Sequence, residues 1–132
     1  MFLGLLKKEE KEAFLKLAHH VARSDGDFSE KQHEIISTYC FEMQIADTEY
    51  NENEFDLDTI LKMFDTSKSQ KIVLLEIMAL VYSDNILHQE EKKIIDKMLE
   101  LFGLNEVIAT VYSEWTKAIL AIAEQGKALI EI

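Results

Sequence analysis

Three acidic side chains, Asp25, Asp84 and Glu91, are the residues of this sequence best suited to chemistry. Asp25 and Asp84 lie at the C-terminal ends of predicted helices, where the helix dipole disfavours negative charge. Both also continue the apolar stripe of their own helix, and Glu91 lies on the inward stripe of the helix after the second turn. Because a buried, unpaired carboxylate costs several kcal/mol, we expect each of the three to have a partner inside the fold.

The sequence leaves several partners open for these carboxylates. One is the backbone N–H groups of the turns that follow, which would fix the angle of each helical hairpin. Another is a divalent cation, Mg²⁺ or Ca²⁺, held by Asp25, Asp84 and Glu91 where the two turns meet, since such ions prefer carboxylate oxygens. A protonated acid or a basic side chain is the remaining alternative.

Six predicted helices position these acids. They run from about Lys8 to Ser24, Ser29 to Gln44, Leu57 to Phe64, Ser67 to Ser83, His88 to Phe102 and Asn105 to Leu129. No β pattern competes with them, and the chain has no proline. The fourth helix is apolar nearly all round, so we expect it at the centre of an all-α bundle. The last helix carries an apolar stripe: Val107, Ile108, Val111, Tyr112, Trp115, Ile119 and Ile122.

An internal repeat relates the two halves of the chain. A shift of 59 residues places Asp25 on Asp84, Gly26 on Asn85, and the Ile35–Ile36 pair on Ile94–Ile95. Residues 1–132 therefore form one predicted domain, with repeat copies at about 8–45 and 67–104 and a C-terminal helix at about 105–130. Each copy is a helix, an acidic turn and a second helix, and we expect the two copies to pack about a pseudo-twofold axis.

The turn in each copy has residues suited to ending one helix and starting the next. Gly26 and Asn85 are the residue types that best tolerate a positive φ, so both can end a helix in the left-handed conformation. Ser29-Glu30-Lys31-Gln32 is a capping box, in which the serine hydroxyl and the glutamine amide satisfy unpaired backbone N–H groups. His88-Gln89-Glu90-Glu91 is its weaker equivalent in the second copy.

Other motifs in the sequence give little support to metal or nucleophile chemistry. An EF-hand is excluded, because its first two ligand positions would fall on Val21 and Arg23 when Gly26 is the loop glycine. Cys40 lies on a predicted buried stripe, which favours a small apolar role over a nucleophilic one. The methionine, phenylalanine and tryptophan residues have helical spacing and are predicted to be core. Four histidines lack zinc-binding spacing and are expected at the surface or packed at an edge: His19, His20, His33 and His88.

Composition limits the classes of partner. A net charge of −11 argues against nucleic acid and against a face for anionic lipid. The lone cysteine, the short apolar start and the lack of a spanning-length apolar run predict a cytoplasmic protein without membrane insertion. No Lys or Arg occurs between Lys31 and Lys62, where eight acids fall: Glu34, Glu42, Asp47, Glu49, Glu52, Glu54, Asp56 and Asp58. This region is either a solvated loop or a docking surface for a basic partner.

A family resemblance rests on the first turn and its degenerate second copy. Residues 13–29, Ala-Phe-Leu-Lys-Leu-Ala-His-His-Val-Ala-Arg-Ser-Asp-Gly-Asp-Phe-Ser, resemble the TerB-like family of bacterial tellurite-resistance proteins. The resemblance extends from about Lys8 to Trp115. It implies a bundle of pseudo-symmetric hairpins that acts as a sensing or interaction module, with clustered acids that bind metal. Carried over by position, those acids are Asp25, Asp84 and Glu91. The chain departs from the family pattern at Gln32, where a glutamate is usual, and at Asn85, which replaces a glycine.

These observations predict a non-enzymatic TerB-like interaction or stress-response module with an unidentified protein partner and a divalent cation at the paired turns. The first alternative is a metal-dependent hydrolytic enzyme that uses Asp25, Asp84 and Glu91 as ligands. The second is an adaptor that binds a basic partner through residues 42–58, hereafter the acidic segment. The sequence also leaves homo-oligomerisation open.

Overall fold

Side-chain caps mark where four of the helices begin. The computed structural model describes residues 1–24, 26, 28–84 and 86–132, with Asp84 described by its backbone alone. Ser29, Asp56, Thr66 and Asn105 each accept a hydrogen bond from a backbone N–H of the helix that follows. The described residues form six α-helices and no strand: α1 (Lys8–Arg23), α2 (Glu30–Met43), α3 (Leu57–Leu61), α4 (Ser67–Val81), α5 (Gln89–Phe102) and α6 (Glu106–Ile130). The all-α prediction is confirmed.

The helix ends also follow the sequence. Gly103 closes α5 with φ +66°, in the left-handed region that glycine adopts without a steric penalty. Gly26 has φ +84° in the turn between α1 and α2, as predicted. Its counterpart Asn85 lies outside the described residues. After α4 the chain makes a short 3-10 turn at Tyr82–Asp84 before the second hairpin continues.

The two hairpins share one local detail that the repeat predicts. In the first hairpin, Gln32 Oε1 accepts the Ser29 backbone N–H at 3.2 Å, and Ser29 Oγ accepts the Gln32 N–H at 3.2 Å. In the second, Glu91 Oε1 accepts the His88 backbone N–H at 3.1 Å. The side chain at the third helical position therefore reaches back to the cap in both copies. The pseudo-twofold relation between whole hairpins stays a prediction.

Helix α4 lies at the centre of the bundle, as its apolar sequence predicts. It packs against α1, α5 and α6, and α1 in turn packs against α2 and α3. Val73, Leu74, Ile77 and Leu80 are fully buried. Burying an aliphatic side chain of this size contributes about 1.5–3 kcal/mol, so these four positions alone anchor α4 to its neighbours.

The predicted apolar stripe of α6 is buried only in part: Ile108 and Tyr112 pack against the core, as predicted. The prediction is wrong for the other members of the stripe described next, and the prediction that the methionine, phenylalanine and tryptophan residues are core is wrong at several positions. Val107, Val111 and Ile122 of the predicted stripe are exposed, and Trp115 is 40% exposed. The one buried residue of α6 is Thr116. Phe41 is 86% exposed on α2. The α6 sequence has more apolar positions than its contact with α4 can cover, so residue type alone could not identify the buried face.

None of the helices in the described part of the chain is both long enough and apolar enough to span a bilayer.

Candidate functional site

Glu91 is the one predicted metal ligand whose side chain the structure describes. It is 1% exposed, which confirms that it points inward. Its Oε1 accepts the His88 N–H and so helps to close the first turn of α5. Asp25 lies outside the described residues, and so does the side chain of Asp84. Within the described residues, no three His, Cys, Asp or Glu side chains are grouped to hold a metal ion. The cation site at Asp25, Asp84 and Glu91 therefore stays a prediction.

His19, near the end of α1, ties the acidic segment to the bundle. Its ring is buried, and Nε2 lies 2.7 Å from Asp47 Oδ1. The guanidinium of Arg23, one helical turn later, donates to Nδ1 at 3.4 Å. Both ring nitrogens of His19 therefore have a polar partner inside the fold, Asp47 at Nε2 and Arg23 at Nδ1. The prediction that His19 lies at the surface or an edge is wrong for this reason: its polar atoms are satisfied inside the fold.

His20 fastens the same segment by stacking. Its ring lies 4.0 Å from the Phe55 ring at an interplanar angle of 15°, and its Nδ1 is 2.8 Å from Tyr50 Oη. Burial lowers the pKa of His20, although the Glu52 charge raises it in part. The ring is therefore neutral at pH 7, and its Nδ1 shares a hydrogen bond with the tyrosine hydroxyl.

Arg23 joins this cluster to the first turn. Its guanidinium carbon lies 4.1 Å from the centroid of Phe28 and 5.5 Å from that of Tyr50. Such cation–π contacts contribute about 0.5–1 kcal/mol at exposed sites. The Phe28 ring also lies 3.8 Å from the ring of His33 on α2. Six rings therefore lie together where the end of α1 meets the acidic segment and the start of α2: His19, His20, Phe28, His33, Tyr50 and Phe55.

Tyr50 lines two clefts. The first, the turn cleft, has a volume of about 310 Å³ and lies between the end of α1, the acidic segment and the start of α5. It carries charges of both signs, and Lys93 there pairs with Glu90 at 2.9 Å. Its lining residues are His20, Arg23, Ser24, Tyr50, Glu52, Leu57, Glu90, Lys93 and Ile94.

The second cleft, the acidic cleft, has a volume of about 460 Å³. Three carboxylates and two aromatic rings line it, against one lysine. The residues are Lys16, Glu49, Tyr50, Asn51, Glu54, Phe55, Asp56, Thr59 and Ile60. This arrangement gives the cleft an excess of negative charge beside aromatic surface.

Among the described residues, some acids of the acidic segment contact other residues of the fold, and others form no ion pair. Glu42 accepts the Leu3 N–H, Asp47 binds His19, Asp56 caps α3 and Asp58 lies 3.7 Å from Lys97. Across the described ranges, three others form no ion pair: Glu49, Glu52 and Glu54. All three line a cleft, so the carboxylates that the fold does not use face the two openings.

Sequence reasoning did not find the ring cluster. The two histidines and the aromatic residues Tyr50 and Phe55 are visible in the sequence, but the contacts of the histidines with these aromatic residues span 30 to 35 residues. The adjacent pair His19-His20 beside Arg23 was the available signal.

The comparisons with known proteins returned no relative. No protein-family model matches the chain, and no characterised protein or solved structure matches it either. The TerB-like resemblance therefore rests on the residues quoted above.

Proposed function

We propose that this chain is a non-enzymatic, TerB-like interaction module that receives a basic segment of a partner protein in the acidic cleft. The observation that carries the proposal is the pairing, in one opening, of uncommitted carboxylates with aromatic walls. Glu49 and Glu54 supply the charge, and Tyr50 and Phe55 supply the rings. This combination suits a lysine or arginine side chain, which gains from both kinds of contact.

The cleft has the charge balance that a cationic ligand needs. Glu49, Glu54 and Asp56 face it, and Lys16 is its one basic lining residue. The chain as a whole has a net charge of −11, which adds a long-range attraction for a basic partner and speeds encounter at low ionic strength.

The acidic segment is also held in place before any ligand arrives. The bond between His19 and Asp47 and the stacking of His20 on Phe55 fix its path across α1. A preorganised loop loses less conformational entropy on binding than a free one, so more of the contact energy appears as affinity.

Three candidate reactive groups, Cys40, His19 and Glu91, have environments that favour binding over catalysis. Burial, and then the charge of Asp47, raise the pKa of the Cys40 thiol, so the thiol stays protonated at neutral pH. His19 has a hydrogen-bond partner at each ring nitrogen. Glu91, proposed as a ligand in the hydrolase alternative, engages the cap of α5. These contacts give the metal-dependent hydrolase no specific support.

A peptide titration tests the proposal. A fluorescent peptide rich in Lys and Arg is titrated with the full chain, and binding is followed by anisotropy. The double variant Glu49→Gln, Glu54→Gln should weaken binding by about tenfold or more, since two charge-assisted contacts are lost. The matched control, Glu100→Gln with Glu131→Gln, removes the same charge from exposed positions elsewhere. Equal loss in both variants would show a general charge effect and overturn the site.

The divalent cation is a separate part of the proposal, and a melting experiment tests it. The protein is heated with Ca²⁺, with Mg²⁺ and with a chelator. A cation bound to the native state alone raises the melting temperature. Identical melting curves would rule out a bound cation and would not affect the proposal for the acidic cleft.

A further inference from the structure

Helix α6 is only half covered by the bundle. Its first half packs on α4, with Thr116 fully buried. From residue 121 to residue 132, every position is exposed. At 1.5 Å per residue, the exposed part of α6 extends for ~15 Å. Gly126 lies in this part with open space around it.

The exposed surface of α6 carries a regular apolar stripe. Val107, Val111, Ile122 and Leu129 are each between 58% and 70% exposed, and Trp115 is 40% exposed. From Val111 onward the spacing alternates between four and three residues: 111, 115, 118, 122, 125 and 129. The one polar residue in this set is Gln125. A stripe with alternating intervals of four and three residues is typical of a helix that packs along a second helix.

The charge and the exposed surface of the stripe indicate which kind of helix it packs against. Lys117 pairs with Glu114 at 3.6 Å and Lys127 with Glu124 at 3.3 Å, both within α6, so the stripe itself stays neutral. The five large apolar side chains of the stripe are each 40% to 70% exposed, and they would supply the apolar centre of an interface of the standard ~800 Å² per partner. Phe2, whose ring lies 6.3 Å from that of Trp115, extends it.

We propose that this stripe, hereafter the α6 stripe, pairs with the α6 stripe of a second copy of the chain. A neutral apolar surface is complementary to itself, and a twofold dimer buries the same surface on both copies. A lipid surface suits the helix less well. Helices that lie on membranes carry mainly Lys and Arg on the polar face, whereas α6 has three Glu and two Lys on a chain of net charge −11. The inference uses no residue of the acidic cleft, so it stands or falls independently of the proposed function.

Sedimentation velocity across a dilution series tests the proposal on the full chain. We expect a concentration-dependent species of twice the 15.3 kDa chain mass. Ile122→Glu and Leu129→Glu should each weaken association by more than about tenfold, because a buried charge replaces a central apolar contact. Both positions are exposed in the single chain, so circular dichroism should show the wild-type helical content at dilutions where the wild type is monomeric.

Thr110→Glu is the matched control. Thr110 is exposed on the same helix but off the α6 stripe, so the dimer should persist in this variant. A wild-type chain that stays monomeric at every concentration would overturn the proposal. Equal behaviour of Ile122→Glu and Thr110→Glu would do the same.

Trp115 offers a second readout, since it is the one tryptophan of the chain. Its emission should shift to shorter wavelength as concentration rises, and this shift should be absent in Ile122→Glu. Vesicles of phosphatidylcholine and phosphatidylglycerol should leave the emission unchanged. A shift with vesicles in a chain that remains monomeric would replace the second copy with a membrane surface.

Discussion

The acidic segment and the exposed half of α6 are both surfaces of this chain, but they are held to the bundle in different ways. Between α2 and α3 the acidic segment has no regular helix, yet a buried histidine, a stacked ring pair and several caps fix its path. The exposed half of α6 is regular helix with apolar side chains in solvent. Regular secondary structure is therefore a poor guide to which surface is anchored, and side-chain contacts with the bundle are the better one.

The largest expected effect comes from removing the anchor of the acidic segment. His19→Ala should lower the free energy of unfolding by about 2 kcal/mol or more, because it leaves a buried cavity and removes the partner of Asp47. Ile122→Ala on the α6 stripe should change the monomer by less than about 0.5 kcal/mol. Urea denaturation of dilute protein measures both values. Similar losses of unfolding free energy in the two variants would contradict the conclusion that the acidic segment is anchored to the bundle and the exposed half of α6 is not.

A smaller effect is expected at the buried acid beside the turn cleft. Glu91→Ala should cost about 1–2 kcal/mol, because the His88 N–H loses its acceptor at the start of α5. Glu91→Gln should cost less, since Gln32 makes the same bond in the first hairpin. Thermal melts of the two variants check this order. If Mg²⁺ or Ca²⁺ stabilises the wild type and Glu91→Gln alone abolishes that gain, Glu91 is a cation ligand as well as a cap.

Salt should act on the two surfaces in opposite directions. Screening weakens the attraction between the acidic cleft and a basic peptide, whereas it reduces the repulsion between two chains of charge −11 and so favours the α6 dimer. We expect changes of a few fold on raising the ionic strength from about 0.01 M to 0.15 M. Anisotropy titrations and sedimentation measure the two constants. A common direction would contradict the assignment of charge to one surface and apolar contact to the other.

The smallest effect expected is a dependence of folding stability on pH that arises from His20. Its pKa in the folded chain is lowered from the ordinary value of 6.5, so the unfolded chain binds more protons between the two values. The stability that His20 contributes is therefore present above about pH 6.5 and is lost as the pH falls through its folded pKa. Melting temperatures between pH 7.5 and 5 should fall less steeply in His20→Asn. An unchanged slope would show that the stacking on Phe55 does not depend on a neutral ring.

The helices of this fold follow directly from local sequence signals. Ser29, Asp56 and Asn105 cap predicted helix starts, and Gly103 ends α5 in the left-handed conformation that its type favours. Each of these signals acts over a few residues, so a single sequence contains it. The inward direction of Glu91 was also predictable, because helical phase alone determines it.

The candidate site was less predictable because its contacts are distant in sequence. The bond from His19 to Asp47 depends on the path of an irregular segment, which no period encodes. The buried face of α6 was missed for a different reason. Apolar residues surround much of the helix, and contact with α4 selects Thr116 in place of Trp115. Propensity identifies a helix, but the neighbouring elements decide which of its faces is covered.

Gly126 gives the exposed half of α6 a particular consequence. A glycine inside a helix costs about 1 kcal/mol relative to alanine, and here no tertiary contact compensates for that cost. In dilute solution we expect the turns around it to unwind first, and pairing with a second copy to rewind them. The helical content of the chain would then rise with its concentration, which makes the tail of this helix a sensor of how much of the protein is present.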